Sequence, residues 1–202
     1  MTSLHDTFKE IDMHLLKDDQ PSFYFIELFS TSINNQYPFN MLNDLKKTDQ
    51  SPKHHPEGSV WNHTMLVLDE AAKVKEQSTD TRVFMWAALL HDIGKPGTTK
   101  IRKGRITAYD HDLLGAELAG RFLHEFTDDQ AFVTKVTSIV RWHMQILFVV
   151  NDLPFADINT MKVQTDIHDI ALFGLCDRLG RLSPDRTAEE NNIKRFIEKC
   201  SM

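Results

Sequence analysis

Apolar residues recur at spacings of three and four along most of this 202-residue chain, which is the period of an amphipathic helix. Leu4, Phe8, Ile11 and Leu15 form one such stripe and predict a helix from about Leu4 to Leu16. Phe25, Leu28 and Phe29 form another, in a helix that begins after Pro21. Both stripes read as faces packed against a core. The stretch KKTDQSPKHHPEGS, residues 46–59, breaks the pattern with Pro52, Pro56 and Gly58 and is expected to be a loop. Ser59 then serves as the N-cap of a helix running to about Glu76, with Val60, Thr64, Val67, Ala71 and Val74 along one side. Further helices are expected near 80–93, 112–126, 129–147, 162–182 and 187–199. The segment TTKIRKGRITAY, residues 98–109, has a different character, since Gly104 between stretches containing Ile101 and Ile106 signals a β-hairpin. The fold class is therefore all-α, a helical bundle with a small hairpin inserted. Residues 1–50 are expected to pack as helices on a domain formed by residues 51–202, the whole being one structural unit.

Charge narrows the ligands. A net charge of −6 lacks the basic excess with which proteins displace counterions from extended nucleic acid. A small phosphorylated molecule remains compatible, because a bound metal or a few local cations can hold a phosphate on an acidic protein. The two cysteines, Cys176 and Cys200, show no paired spacing and fit a reducing cytoplasm. No apolar run is long enough for a membrane span, so no membrane partner is expected.

The chemistry is concentrated after residue 59. In VFMWAALLHDIGK, an almost wholly apolar stretch from Val83 to Leu90 runs straight into His91 and Asp92. Ionisable groups at the inner end of a core helix cost several kcal/mol unless paired, hydrogen-bonded or metal-bound. A His–Asp hydrogen bond, or an exposed helix end terminated by Gly94, would be the plainer outcome. Three other helical segments also place a polar residue in apolar company: His63 in SVWNHTMLVLDEA, His143 in TSIVRWHMQILFVV and Asp177 in IALFGLCDRLGRL. Each alone is more often a satisfied core residue than a ligand, but together they form a set able to converge. His111, in AYDHDLLGAELAGRFL, joins them after the hairpin.

At these residues the chain resembles a known family. His63, His91-Asp92 and Asp177 are similar to the H…HD…D signature of the HD superfamily of metal-dependent phosphohydrolases. HDIGK, the hairpin with GRI, the GAELA segment, VRWHM and CDRLGR resemble, in order, the HD domain of bacterial CCA-adding tRNA nucleotidyltransferases, from about Pro52 to Leu182. Asp110 stands before His111 where that family is expected to carry glycine. The first fifty residues contain no glycine and cannot supply the Gly-rich nucleotidyltransferase domain, so an HD module standing alone is expected. Neither the acidic pair of alarmone hydrolases nor the GYP signature of cyclic-di-GMP phosphodiesterases is present, whereas dinucleoside polyphosphate hydrolases share the six-ligand pattern.

The resemblance implies that His63, His91, Asp92 and Asp177 hold one metal and that His111 and His143 hold a second, with Asp92 bridging. Mixed nitrogen and oxygen ligands suit Fe, Mn, Co, Ni, Zn or Mg. It further implies hydrolysis of a small phosphoester, a nucleotide or 2′,3′-cyclic phosphate, by metal-activated water. The alternatives are dinucleoside polyphosphate hydrolysis and a metal- or nucleotide-binding sensor. Asp92 and Lys95 are the catalytic candidates; Lys95, Arg141, Arg178 and Arg181 are the candidate substrate contacts, with Arg181 on the face of Asp177 preferred. His54 and His55, in the proline-bounded loop, are weaker candidates.

Overall fold

In the computed structural model, which describes residues 3–202, the first apolar stripe becomes α1, Leu4–Lys17, with Ser3 capping the Asp6 amide and Phe8, Ile11 and Leu15 buried. The second is short, α2 at Ser22–Leu28, and a single turn, α3 at Asn40–Asn43, follows. α4, Val60–Val74, begins at the expected cap, where the Ser59 hydroxyl accepts from the Asn62 amide. It stops short of Glu76 because Lys75–Gln77 tighten into a 3-10 turn. α5, Thr81–Leu90, is buried from Val83 onward. The chain then turns through His91–Gly94 into α6, Lys95–Thr98.

The hairpin forms where the sequence places it. β1, Thr99–Arg102, pairs antiparallel with β2, Arg105–Ala108, setting Lys100 opposite Thr107 and Arg102 opposite Arg105. Lys103 and Gly104 make the turn with φ of 49° and 73°, the left-handed backbone that two-residue hairpin turns need.

Beyond it lie α7, His111–His124, and α8, Gln130–Trp142. α9, Gln145–Val150, and α10, Ile158–Gln164, are followed by α11, Ile167–Leu179, and α12, Arg186–Ser201. Two expected helices are thus each divided. The 129–147 helix breaks at His143, whose Nδ1 donates to the Val140 carbonyl at 2.7 Å and competes for the acceptor that an unbroken helix gives to residue 144. The 162–182 helix breaks at Asp166, whose side chain accepts from the His168 and Asp169 amides and starts a fresh helix.

Helices α4, α5, α8 and α11 enclose the centre of the molecule, and α1 and α2 cover it from outside. Phe8 stacks on Trp86 with ring centroids 4.7 Å apart. Asp12 accepts from Trp86 Nε1 and Arg82 Nε, both at 2.7 Å. Asp69 on α4 likewise takes the Ser22 amide and hydroxyl at the start of α2. The N-terminal helices are therefore joined to the core by both aromatic packing and part-buried hydrogen bonds, each of the latter contributing about 1 kcal/mol. No helix among the described residues is long and apolar enough to cross a membrane. Cys176 and Cys200 are buried and free.

Candidate metal centre

The apolar end of α5 delivers His91 and Asp92 into the interior, each about 1% exposed. His63 on α4, His111 at the start of α7, His143 at the end of α8 and Asp177 on α11 are buried around them. The ligating atoms of His63, His91 and Asp92 all lie within 4.8 Å of one another, and those of Asp92, His111 and His143 do the same. Asp92 belongs to both groups. Its Oδ2 is 3.2 Å from His91 Nε2, while its Oδ1 lies 3.5 Å from His111 Nε2 and 3.9 Å from His143 Nε2. One carboxylate thus turns an oxygen to each half. Asp177 completes the first half, its Oδ1 lying 2.9 Å from His63 Nε2.

The imidazoles share an orientation. His91, His111 and His143 each donate Nδ1–H to the carbonyl three residues earlier, that of Ala88, Ala108 or Val140, at 2.9, 2.7 and 2.7 Å. His63 Nδ1 faces the Gly180 carbonyl at 3.2 Å and Glu57 Oε1 at 3.0 Å. Fixing the proton on Nδ1 leaves Nε2 of His91, His111 and His143 with a lone pair directed inward, as metal-ligating histidines require, whereas His63 Nε2 bonds Asp177 Oδ1 in the metal-free protein and would give up that proton to a metal. His111 Nε2 and His143 Nε2 stand 3.1 Å apart. Two lone pairs at that distance repel unless a proton or a cation lies between them. His91 Nε2 and Asp92 Oδ1 are buried without a hydrogen-bond partner, while Asp92 Oδ2 has the ion-pair contact with Lys95 Nζ at 2.6 Å; a cation between the inward-facing atoms would lower the cost of burying them. The donor set fits a divalent metal.

The electrostatics agree. Burial pushes the Asp92 carboxyl up, but His91 and Lys95 outweigh it and hold the group well below the usual carboxylate range. Asp177 is held low in the same way, burial being overcome by His63 and Arg181. Burial drives His111 and His143 down to about 4, so both imidazoles are neutral and free to bind a metal at pH 7. His63 goes the other way: burial is outweighed by its bonds to Asp177 and Glu57, and its pKa is raised.

Lys95 is brought into this cluster, its Nζ 2.6 Å from Asp92 Oδ2 and 2.6 Å from Gln50 Oε1. Arg181 lies near enough to depress Asp177, and its Nε is buried without a hydrogen-bond partner. The other two arginines are directed elsewhere. Arg141 pairs with Asp112 on α7 at 2.5 Å and covers the Trp142 ring. Arg178 faces Glu189 on α12 at 3.9 Å. In this structure both arginines link helices and are not directed at the His/Asp cluster, as expected when neighbouring positions on a helix diverge by about 100°. His54 is exposed, whereas His55 turns inward and donates Nδ1–H to Glu57 Oε1 at 2.9 Å.

Glycines set the distances between these elements. Gly94 has φ −81°, which is not the left-handed geometry of a helix terminator; it is needed for proximity. A Cβ there would meet the His111 carbonyl oxygen at 2.2 Å and the Gly115 amide nitrogen at 2.6 Å, so its absence lets α7 lie directly against the turn after His91. Asp110 takes the opposite role. Its φ of 60° and ψ of 20° are left-handed, a conformation that favours glycine and that aspartate tolerates.

Residues 60–148 match the family model described as HD domain. The chain contains an HD domain. That match includes His63, His91, Asp92, His111 and His143; Asp177 lies beyond it and joins the centre through its bond to His63. A "Multifunctional CCA protein" from Halorhodospira halophila is 37% identical over 95 residues, covering 47% of this chain and 21% of that protein. One from Actinobacillus pleuropneumoniae is 35% identical over 92 residues, covering 44% of this chain and 22% of its own length. One from Methylococcus capsulatus is 28% identical over 155 residues, covering 75% of this chain and 30% of that protein. The chain spans about a fifth to under a third of the length of these relatives.

Glu57 and Gln50 belong to the HD site yet carry no signal in helical periodicity. The loop that holds them is fixed by a bridge between Asp49 and Ser59, with Gly58 at φ 93° making the reversal. Burial raises the Glu57 carboxyl, but its bonds with His63 and His55 outweigh this and bring it to about 2. A glutamate one residue before a loop glycine and six before a ligand histidine was the available clue.

Proposed function

We propose that this HD domain is a metal-dependent phosphohydrolase acting on a small phosphoester, a nucleotide or a 2′,3′-cyclic phosphate. The supporting observation is Asp92, a buried carboxylate shared between two groups of inward-facing imidazole nitrogens, with Oδ1 lacking any hydrogen-bond partner and Oδ2 paired with the Lys95 ammonium. His63, His91, Asp92 and Asp177 would hold one divalent metal, with His111, His143 and the second oxygen of Asp92 holding another. Metal bound there supplies Lewis acidity toward phosphoryl oxygens and acidifies bound water.

The chain's own groups do the rest. Asp92 fixes the spacing of the two halves, and backbone carbonyls hold the imidazole tautomers before substrate arrives. The Lys95 ammonium offsets the charge of Asp92 and stands beside the centre as a partner for a phosphate oxygen. Arg181 presents an unpartnered guanidinium Nε on the Asp177 side, and a charge-assisted bond to an anionic substrate would satisfy it. Apolar walls from α5 and α11 keep bulk water out and strengthen each of these interactions.

The test is phosphate release from a panel of nucleotides, 2′,3′-cyclic nucleotides and dinucleoside polyphosphates, using protein reconstituted separately with Mn, Fe, Co, Ni, Zn and Mg and Asp92→Ala in parallel. Turnover by the wild type that is lost in the variant supports the assignment. Tight metal binding without turnover of any panel member would replace it with a metal-binding sensor.

A further inference from the structure

We propose that the β1–β2 hairpin and the cleft it overhangs bind a run of phosphates continuing outward from the phosphoester at the metal centre; this extends the phosphohydrolase reading to a substrate with several phosphates. The chain carries a net charge of −6, yet Lys100, Arg102, Lys103 and Arg105 stand together on the hairpin with no acidic residue among them. Among the described residues none of the four takes part in an ion pair, although such pairs are common elsewhere on this surface, as at Lys73 with Glu70 and Lys199 with Asp152.

The strand register makes the charges face one another. Lys100 and Arg102 share one side of β1, and Arg105 lies directly opposite Arg102. Like charges at directly paired positions destabilise a hairpin, and an anion seated between them reverses the sign. The apolar side of the same hairpin, with Ile101 78% exposed, gains nothing to compensate.

The same side looks into a cleft. Lys100, Arg102, Gly97, Tyr109 and Leu113 line a space of about 560 Å³ between the hairpin, α6 and α7. Asp110 and Glu117 also line it, and the charge of Glu117 is paired with Arg121. α6 begins at Lys95 and α7 at His111, so both walls start at the metal centre. The base of the hairpin touches that centre, the carbonyl of Ala108 accepting from His111 Nδ1 at 2.7 Å. From the Thr99–Ala108 pair, Lys100 stands one step out and the Arg102–Arg105 pair three steps out, about 10 Å at the rise of a strand. Positive charge thus forms a track leading away from the ligands. Tyr109, 62% exposed beside it with the Arg102 guanidinium over its ring, offers a face for a nucleobase. Consecutive phosphates with a base at the end describe either a dinucleoside polyphosphate or the end of a short single-stranded oligonucleotide.

The experiment measures equilibrium binding to the metal-reconstituted full chain, using hydrolysis-resistant probes so that it is independent of turnover. The probes are a phosphorothioate tetra-adenylate, a methylene-bridged diadenosine tetraphosphate, and adenosine monophosphorothioate as the single-phosphate reference. The wild type is expected to bind at least one extended probe tenfold or more tighter than the reference in 50 mM salt, and the tighter of the two identifies the source of the phosphates. Arg102→Gln/Arg105→Gln should lose that advantage while binding the reference as the wild type does. Arg102→Lys/Arg105→Lys should retain most of it, which separates lost charge from lost folding. Two phosphate contacts contribute a slope of roughly 1.4 in log affinity against log salt, so 200 mM salt should weaken the extended probe about sevenfold more in the wild type than in the glutamine variant. An equal affinity of the wild type for extended and single-phosphate probes, or an advantage that survives in the glutamine variant, overturns the proposal. Phosphate release from single-phosphate substrates would stand in either case.

Discussion

Replacing Gly94 with alanine places a carbon 2.2 Å from the His111 carbonyl oxygen and 2.6 Å from the Gly115 amide nitrogen. Ordinary contacts begin near about 3.5 Å, so the turn after His91 and the start of α7 must separate by roughly 1 Å. Both obstructing atoms are backbone in the first turn of α7, so no side-chain rotation relieves the clash. Overpacking that moves backbone costs about 1–3 kcal/mol, and the upper end applies here. At about 2–4 °C per kcal/mol for a chain of this size, the melting temperature of the metal-free variant should fall by roughly 6–12 °C. His111 moves with α7 relative to Asp92, and a ligand displaced by about 1 Å lies outside the ±0.2 Å tolerance of coordination bonds. Calorimetric melts with and without metal, together with titration of metal into the folded variant, should show both the lower melting temperature and a smaller metal-induced rise. A variant that melts within about 2 °C of wild type and takes up metal identically would refute the close-approach account of this glycine.

Glu57→Gln keeps the shape of the side chain but removes the charge beside His63, whose Nδ1 retains the Gly180 carbonyl; metal affinity by calorimetry should fall about tenfold, the lower end for orienting groups, and wild-type affinity would mean that Glu57 plays no part. Asp110→Gly should raise the urea midpoint by an amount worth about 0.5–1 kcal/mol, since it relieves a left-handed aspartate whose side chain caps nothing; a lower midpoint would reveal an unrecognised role for the carboxylate. His111 and His143 sit near 4 in the folded protein against an ordinary 6.5, so the unfolded chain binds more protons between those values and the stability of the metal-free protein should fall as pH drops from 6.5 to 4. His63, with its raised pKa, adds stability that is already fully present below 6.5 and is lost only as pH rises above it, so it leaves the slope in this window essentially unchanged, while Asp92 and Asp177 lose their contribution only below their ordinary 3.8. Urea titrations across this window would contradict the assignment if the midpoint rose on acidification.

The residues that converge at the candidate metal centre were legible because each interrupts an apolar helical face: His63, His91-Asp92, His143 and Asp177 stand out from their neighbours whatever the packing. The hairpin was legible from its turn, where Gly104 supplies the positive φ. Helix breaks at His143 and Asp166 escaped periodicity because a side chain bonding to nearby backbone overrides a continuing apolar stripe. The directions of Arg141 and Arg178 escaped it too, since spacing in sequence does not say which neighbouring helix offers a carboxylate. Glu57 and Gln50 reach the centre from a loop, and a loop has no period to read. Gly94 was visible as a residue but not as a reason: its value lies in the approach of α7, a feature of tertiary structure alone.

Three of the four histidines are anchored by main-chain oxygen three residues upstream, at Ala88, Ala108 and Val140. Because every amino acid carries that oxygen, the side chains at those anchor positions can drift without disturbing ligand orientation, provided the local backbone keeps its path. Each such histidine with its upstream carbonyl is a portable unit, self-orienting within four residues, and transplanting these short segments onto another helical scaffold should carry the tautomer with them. His63 has no such independence: its orientation depends on Gly180 and Glu57, 117 residues downstream and in a separate loop, so substitutions around this one ligand must be accommodated jointly.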